Sequence, residues 1–170
     1  MHDLNAIVTE ILRDYALPLR GDHGVSHWAR VLENGRRIAD RTDADEEVVS
    51  LFAVFHDARR VNEGRDRDHG LRGGRLAQSL RGSLVHLDEA RFSLLFEACR
   101  LHSDGLIESD LTLAACWDAD RLDLGRVGTR PMPHLMCTDV ARELIPWAFR
   151  RSVQRYEPAE LLAAWGLARA

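Results

Sequence analysis

Lysine is missing from this sequence: all 23 basic side chains among its 170 residues are arginines, set against 27 acids for a net charge of −4. That balance offers no strongly basic face, so no nucleic-acid polymer is expected as a partner. Compositional bias explains an all-arginine set as readily as function does, although arginine is also the better bidentate partner for phosphate oxygens. Cysteine is scarce. Cys99, Cys116 and Cys137 are odd in number and show no CxxC spacing, which argues against a disulfide framework and against a thiolate zinc site. No uncharged apolar run exceeds five residues, whereas a spanning helix needs roughly 18. The N-terminal stretch carries Asp3, Glu10, Arg13 and Asp14 and lacks the apolar core of a signal peptide. Together these absences predict a cytoplasmic protein with no membrane partner.

β-branched runs are scarce too, while leucine, alanine, arginine and glutamate dominate and apolar residues repeat at three and four rather than two. The expectation is an all-α, compact helical bundle of about seven or eight helices. A chain this long forms about one domain that buries roughly 70% of its unfolded surface.

The central stretch is Glu46 to Arg60, EEVVSLFAVFHDARR. Leu51 to Phe55 are apolar on every side, so this helix should lie in the middle of the fold and carry His56 and Asp57 inside with it. A buried carboxylate is costly unless paired, hydrogen-bonded or metal-bound. A lone buried histidine is more often a satisfied core residue than a ligand, so the neighbours of this pair decide its meaning.

Those neighbours lie on other apolar stripes. Leu4, Ile7, Val8, Ile11 and Leu12 mark a first helix, closed by Pro18 and Gly21. In GDHGVSHWARVLENGRRIAD, Val25, Trp28, Val31, Leu32, Gly35, Ile38 and Ala39 face inward, and His27 falls on the side of Val31 and Ile38. His23 reads as a turn or capping residue. Thr42 and Asp45 resemble a capping box for the central helix. NEGRDR (62–67) is a loop. His69 then shares a stripe with Gly73, Leu76 and Leu80, and the paired Gly73 and Gly74 mark close packing.

Asp88 is the expected N-cap of a helix on which Phe92, Leu95, Cys99 and His102 align. Ser109 opens DLTLAACWDADRLDLG, whose end bears Asp118, Asp120 and Asp123. Spacing leaves open which acid turns inward, since Asp120 follows Leu113 and Cys116 while Asp118 follows Leu111 and Ala114. Two further helices follow, with Pro146 kinking or restarting the first and Glu157 and Pro158 as N-cap and N1 of the last. His86 and His134 read as surface residues.

Imidazoles and carboxylates on several helices form the ligand set of a divalent ion in an open catalytic site. A cation also relieves the cost of a buried aspartate. The order H…HD…D, as His27 in SHWARV, His56-Asp57 in FHDARR and Asp120 in DADRLD, resembles the HD-domain superfamily of metal-dependent phosphohydrolases. The resemblance spans about residues 20 to 130, within a single 1–170 domain on which the C-terminal helices, 134–170, would pack.

It implies that His27, His56, Asp57 and Asp120 hold a divalent metal, with Asp120 chosen over Asp118 by the ADRL wording and Asp118 left as a second-shell candidate. His69 and His102 match the places of two further histidines in binuclear members, for a second metal or a general acid. One or two ions per chain are implied, with Mn, Fe, Zn, Ni and Mg not distinguished. Among seven arginines between Arg59 and Arg81, Arg59, Arg60 and Arg72 are candidates to bind phosphate.

The HD pair is followed by Ala58-Arg59-Arg60 rather than apolar-Gly-Lys, and there is no GYP motif, which argues against the cyclic-dinucleotide branch. The implied activity is that of a small stand-alone hydrolase, in which a metal-activated water attacks a nucleotide or related small phosphate ester. Two alternatives stand beside it: a di-iron HD-type oxygenase, and a non-catalytic helical module with structural histidines.

Overall fold

A computed structural model describes residues 2–107 and 110–169. Eight α-helices form among them: α1 (Leu4–Leu12), α2 (Val25–Ala39), α3 (Glu46–Phe55), α4 (His69–Ser79), α5 (Glu89–Leu101), α6 (Leu111–Arg121), α7 (Asp139–Val153) and α8 (Ala159–Ala164). Two short 3-10 turns, Leu124–Val127 and Pro133–Leu135, lie between α6 and α7. No described residue belongs to a named strand, and no described helix is long and apolar enough to cross a membrane. The all-α expectation holds.

Helix α3 is central because its sequence leaves it no wet face. Every residue from Val48 to Phe55 is buried, and the helix packs against α1, α2, α4, α5 and α6. Fully burying side chains of this size stabilises by about 1.5–3 kcal/mol each relative to exposure, which fixes α3 in the interior. Gly73 is one reason α4 can lie so close: a Cβ there would stand 2.1 Å from the Phe55 carbonyl oxygen. One apolar cluster runs from Ile7 in α1 to Trp165 beside α8.

Helix ends follow the short polar side chains. Asp88 caps α5 by accepting from the Arg91 amide at 3.0 Å. The capping box expected at α3 does not form. Asp45 is itself the N-cap, accepting from the Glu47 and Val48 amides, while the Thr42 hydroxyl donates back to Ile38. Asp45 lies one residue before the helix and reaches its free amides directly, so Thr42 has nothing left to cap.

Ser109 lies outside the described residues, and Asp110 caps α6. Helix α7 runs through Pro146, which sits on its exposed side. The last helix begins one residue later than expected, with Pro158 as N-cap. Glu157 instead pairs with Arg20 and Arg169 and accepts from Ser26.

Candidate metal centre

Four helix-borne histidines and two aspartates meet where α3 ends. His27 comes from α2, His56 and Asp57 from the turn after α3, His69 from the start of α4, His102 from the cap of α5, and Asp120 from the last turn of α6. His27, His56 and Asp57 are essentially inaccessible, and His69 and His102 nearly so.

Each imidazole is held by its Nδ1. That of His56 lies 3.1 and 3.2 Å from the Phe52 and Ala53 carbonyl oxygens, that of His69 2.6 Å from Asp66 O, and that of His102 2.7 Å from Cys99 O. A carbonyl oxygen only accepts, so each Nδ1 must donate, and a neutral ring then presents a bare lone pair at Nε2. The fourth ring, His27, donates from Nδ1 to Asp123 Oδ2 at 2.7 Å. Asp123 is in turn gripped by Arg30 through Nε and the second terminal nitrogen, at 2.7 and 3.0 Å.

The Nε2 atoms meet in pairs. His27 and His56 face each other at 3.0 Å, and His69 and His102 at 2.9 Å. Lone pairs that close repel unless a proton or a metal ion lies between them. Asp57 stands between the pairs. Its Oδ2 is 3.5 Å from His27 Nε2 and 3.6 Å from His56 Nε2, while its Oδ1 is 3.3 Å from His69 Nε2 and 3.8 Å from His102 Nε2. Asp120 adds an Oδ1 that is buried yet makes no hydrogen bond, with His27 Nε2 3.4 Å away.

The electrostatics match this donor set. Burial pushes His56 down to about 3, so its ring is neutral. Burial and then its neighbour His102 lower His69 as well. His27 moves the other way: burial and Arg126 oppose its charge, but Asp120, Asp123 and Asp57 raise it to about 9. Burial acts against ionisation of Asp57 also, and His56, His27 and His102 overcome it to hold the carboxyl well below the usual range. In the metal-free chain, therefore, a proton on His27 supplies the positive charge that the acids demand. Among the described residues three ligand sets could hold a metal ion, His27/His56/Asp57, His56/His102/Asp120 and Asp57/His69/His102, each with its atoms within 4.8 Å of one another.

Helix α6 resolves the choice that spacing left open. Asp118 points away from the cluster and accepts from the Cys137 amide, the Thr138 amide and the Thr138 hydroxyl at 2.8, 2.8 and 2.9 Å. It buttresses the segment leading into α7 and contacts no histidine of the centre, so its second-shell reading is corrected. Asp123, rather than Asp118, hydrogen-bonds a histidine of the cluster.

Two of the three candidate phosphate-binding arginines are corrected as well. Arg72 is spent on Asp66 and on the Arg59 and Arg67 carbonyls, and Arg59 reaches the Ile11 carbonyl and Asp14. Arg60 alone of the three lines the cleft over the cluster, a space of about 380 Å³ that also receives Arg121, Arg126 and Arg130. His23, expected at a turn, is buried beside Glu63 with its ring centroid 6.3 Å from that of His27. His86 and His134 are exposed.

No family model and no curated protein matches the chain. A solved structure does: a crystal structure described as a predicted HD superfamily hydrolase from an uncultured Thermotogales bacterium. It shares 29% identity and a TM-score of 0.66 over 96% of this chain and 91% of that one.

The fold is that of the HD superfamily. Within this HD fold the residues in H…HD…D order are the ones whose nitrogen and oxygen atoms converge. The HD pair itself sits where a buried helix ends, so that His56 keeps its Nδ1 on the helix's own carbonyls and Asp57 reaches both histidine pairs.

Proposed function

We propose that this chain is a metal-dependent phosphohydrolase acting on a small phosphate ester, nucleotides included. The observation that carries the reading is the meeting of Nε2 atoms in two histidine pairs, at 3.0 and 2.9 Å, with Asp57 between the pairs, under a cleft walled by arginines. His27, His56, Asp57 and Asp120 would hold one divalent ion, and Asp57, His69 and His102 suit a second. A divalent ion there supplies Lewis acidity and ionises water near neutral pH, the pKa falling from 15.7 to about 7 in the best zinc case.

The chain's own groups do the rest. Arg126 is fixed by the Asp22 and Asp123 carbonyls at 2.8 and 3.1 Å, and its remaining nitrogen points toward Asp120 at 3.7 Å. Arg60 is fixed by the Gly64 carbonyl at 2.6 Å and reaches Asp57 at 3.4 Å. Both guanidiniums are set before substrate arrives, which suits them to neutralise phosphoryl oxygens without reorganising. With one ion bound, His69 and His102, which border the same cleft, can instead share a proton between Nε2 atoms 2.9 Å apart and give it to the leaving oxygen.

Metal-loaded protein assayed against mono-, di- and triphosphates, dinucleoside polyphosphates and cyclic nucleotides tests this. Hydrolysis of at least one substrate class, read as released phosphate, nucleoside or nucleotide and abolished in a folded His56→Ala variant, is expected. A metal-replete protein inert across that panel but consuming oxygen would favour an oxygenase instead.

A further inference from the structure

The cleft over the histidines is lined by unlike groups. Asp57, His69, His102 and Asp120 share its wall with the apolar residues Leu124, Pro131, Met132, Leu135 and Met136. Pro131 and Met136 are buried supports, whereas Met132 and Leu135 are 47% and 46% exposed. Two large apolar side chains thus lie open beside a cluster of charges.

Their segment is held by its backbone. Arg121 donates to the Leu135 carbonyl at 2.9 Å, and Arg142 donates to Pro133 O and Met136 O at 3.2 and 2.8 Å. Arg121 also donates to Leu106 O on the facing loop, with its guanidinium 5.9 Å from the Trp117 ring centroid. Because main-chain groups fix this shelf, the Met132 and Leu135 side chains are free of structural duty and open onto the same cleft as Asp120 of α6.

We propose that Met132 and Leu135 are specificity-determining residues that seat the apolar face of the alcohol released from a phosphate monoester. The inference rests on the hydrolase reading above and adds the class of leaving group. Arg60 and Arg126 take the phosphoryl end, so the apolar end of a bound ester is directed onto the shelf. The cleft, about 380 Å³, falls within the roughly 300–1,000 Å³ typical of small-molecule sites. One aryl or nucleoside-sized group fits. Thioether and branched aliphatic surfaces both pack well on aromatic faces.

The test compares naphthyl phosphate with glycerol phosphate in wild type and in the Met132→Ala/Leu135→Ala double variant, both metal-loaded. It adds calorimetric binding of naphthylmethylphosphonate, whose P–C bond resists hydrolysis. Wild type should prefer the naphthyl ester in kcat/KM, and the variant should lose about tenfold of that ratio and about tenfold of phosphonate affinity, as removal of apolar contact area implies. Half-exposed positions should tolerate alanine, and circular dichroism checks the fold. No preference in wild type, a preference that survives in the variant, or no phosphonate binding overturns the proposal. Phosphonate binding that weakens in the variant, with no ester hydrolysed by wild type, sustains the shelf and removes the hydrolase reading instead.

Discussion

His27 Nδ1 lies 2.7 Å from Asp123 Oδ2, and this bond turns the Nε2 of His27 toward His56. Asp123 is buried, and Arg30 grips both of its oxygens. In Asp123→Asn the amide can offer a donor where His27 needs an acceptor, so the ring loses its fixed tautomer. Metal affinity should fall about 10- to 100-fold, as for other partners of ligating histidines, with the far-ultraviolet circular dichroism unchanged. Titration with Mn²⁺ or Zn²⁺ measures it.

Asp118 and Asp120 are two residues apart and should behave oppositely. Asp118→Asn places an amide group against two backbone N–H donors and a hydroxyl. Leaving such buried groups unsatisfied costs about 1–3 kcal/mol. Thermal melting should register that loss while metal stoichiometry stays at the wild-type value. Asp120→Asn should lower metal content below the wild-type value.

The raised pKa of His27, about 9 in the metal-free chain, fixes a pH dependence. A histidine whose folded value exceeds its unfolded value stabilises fully below about 6.5 and loses that contribution as pH rises through about 9. The melting temperature of chelated protein should therefore decline across that window, and His27→Gln should flatten the slope. Metal binding must displace the same proton, so apparent affinity should rise over those pH values. A chelated wild-type protein whose stability is level from pH 6.5 to 9 contradicts the assignment.

Gly70→Ala probes the second histidine pair. A Cβ at Gly70 would lie 2.1 Å from Cys99 O and 3.0 Å from His102 Nδ1, the two groups that hydrogen-bond to orient His102. Alanine improves helix propensity by about 1 kcal/mol, yet the clash should outweigh it. Lower stability and a lost second equivalent of metal are expected. Elemental analysis beside a melting curve decides the point.

Much of this was readable from spacing. The stripes through His27, His69 and His102, and the unbroken apolar run ahead of His56, turned those rings inward because each helix had one dominant buried face or none exposed. Gly73 and Gly74 announced tight packing of α4, the first against the end of α3 and the second against Phe96 of α5. Spacing failed where a helix is buried on two sides: Asp118 and Asp120 both sit on inward faces of α6, one toward Cys137 and one toward the histidines.

It also failed beyond helix ends. Asp123 and Arg126 lie at the 3-10 turn after α6, where no period of three or four applies. The arginines after the HD pair misled for a third reason. A guanidinium reaches far enough to choose among several carbonyls and carboxylates, and for Arg59 and Arg72 local loop acceptors won.

The central claim is that these side chains jointly bind a divalent cation, and elemental analysis of the purified protein measures it most directly. At least one equivalent of divalent metal per chain is expected, lost in His56→Ala that keeps its helical spectrum. A folded wild-type protein without metal, whose melting temperature ignores both added Mn²⁺ or Zn²⁺ and chelator, would contradict the claim.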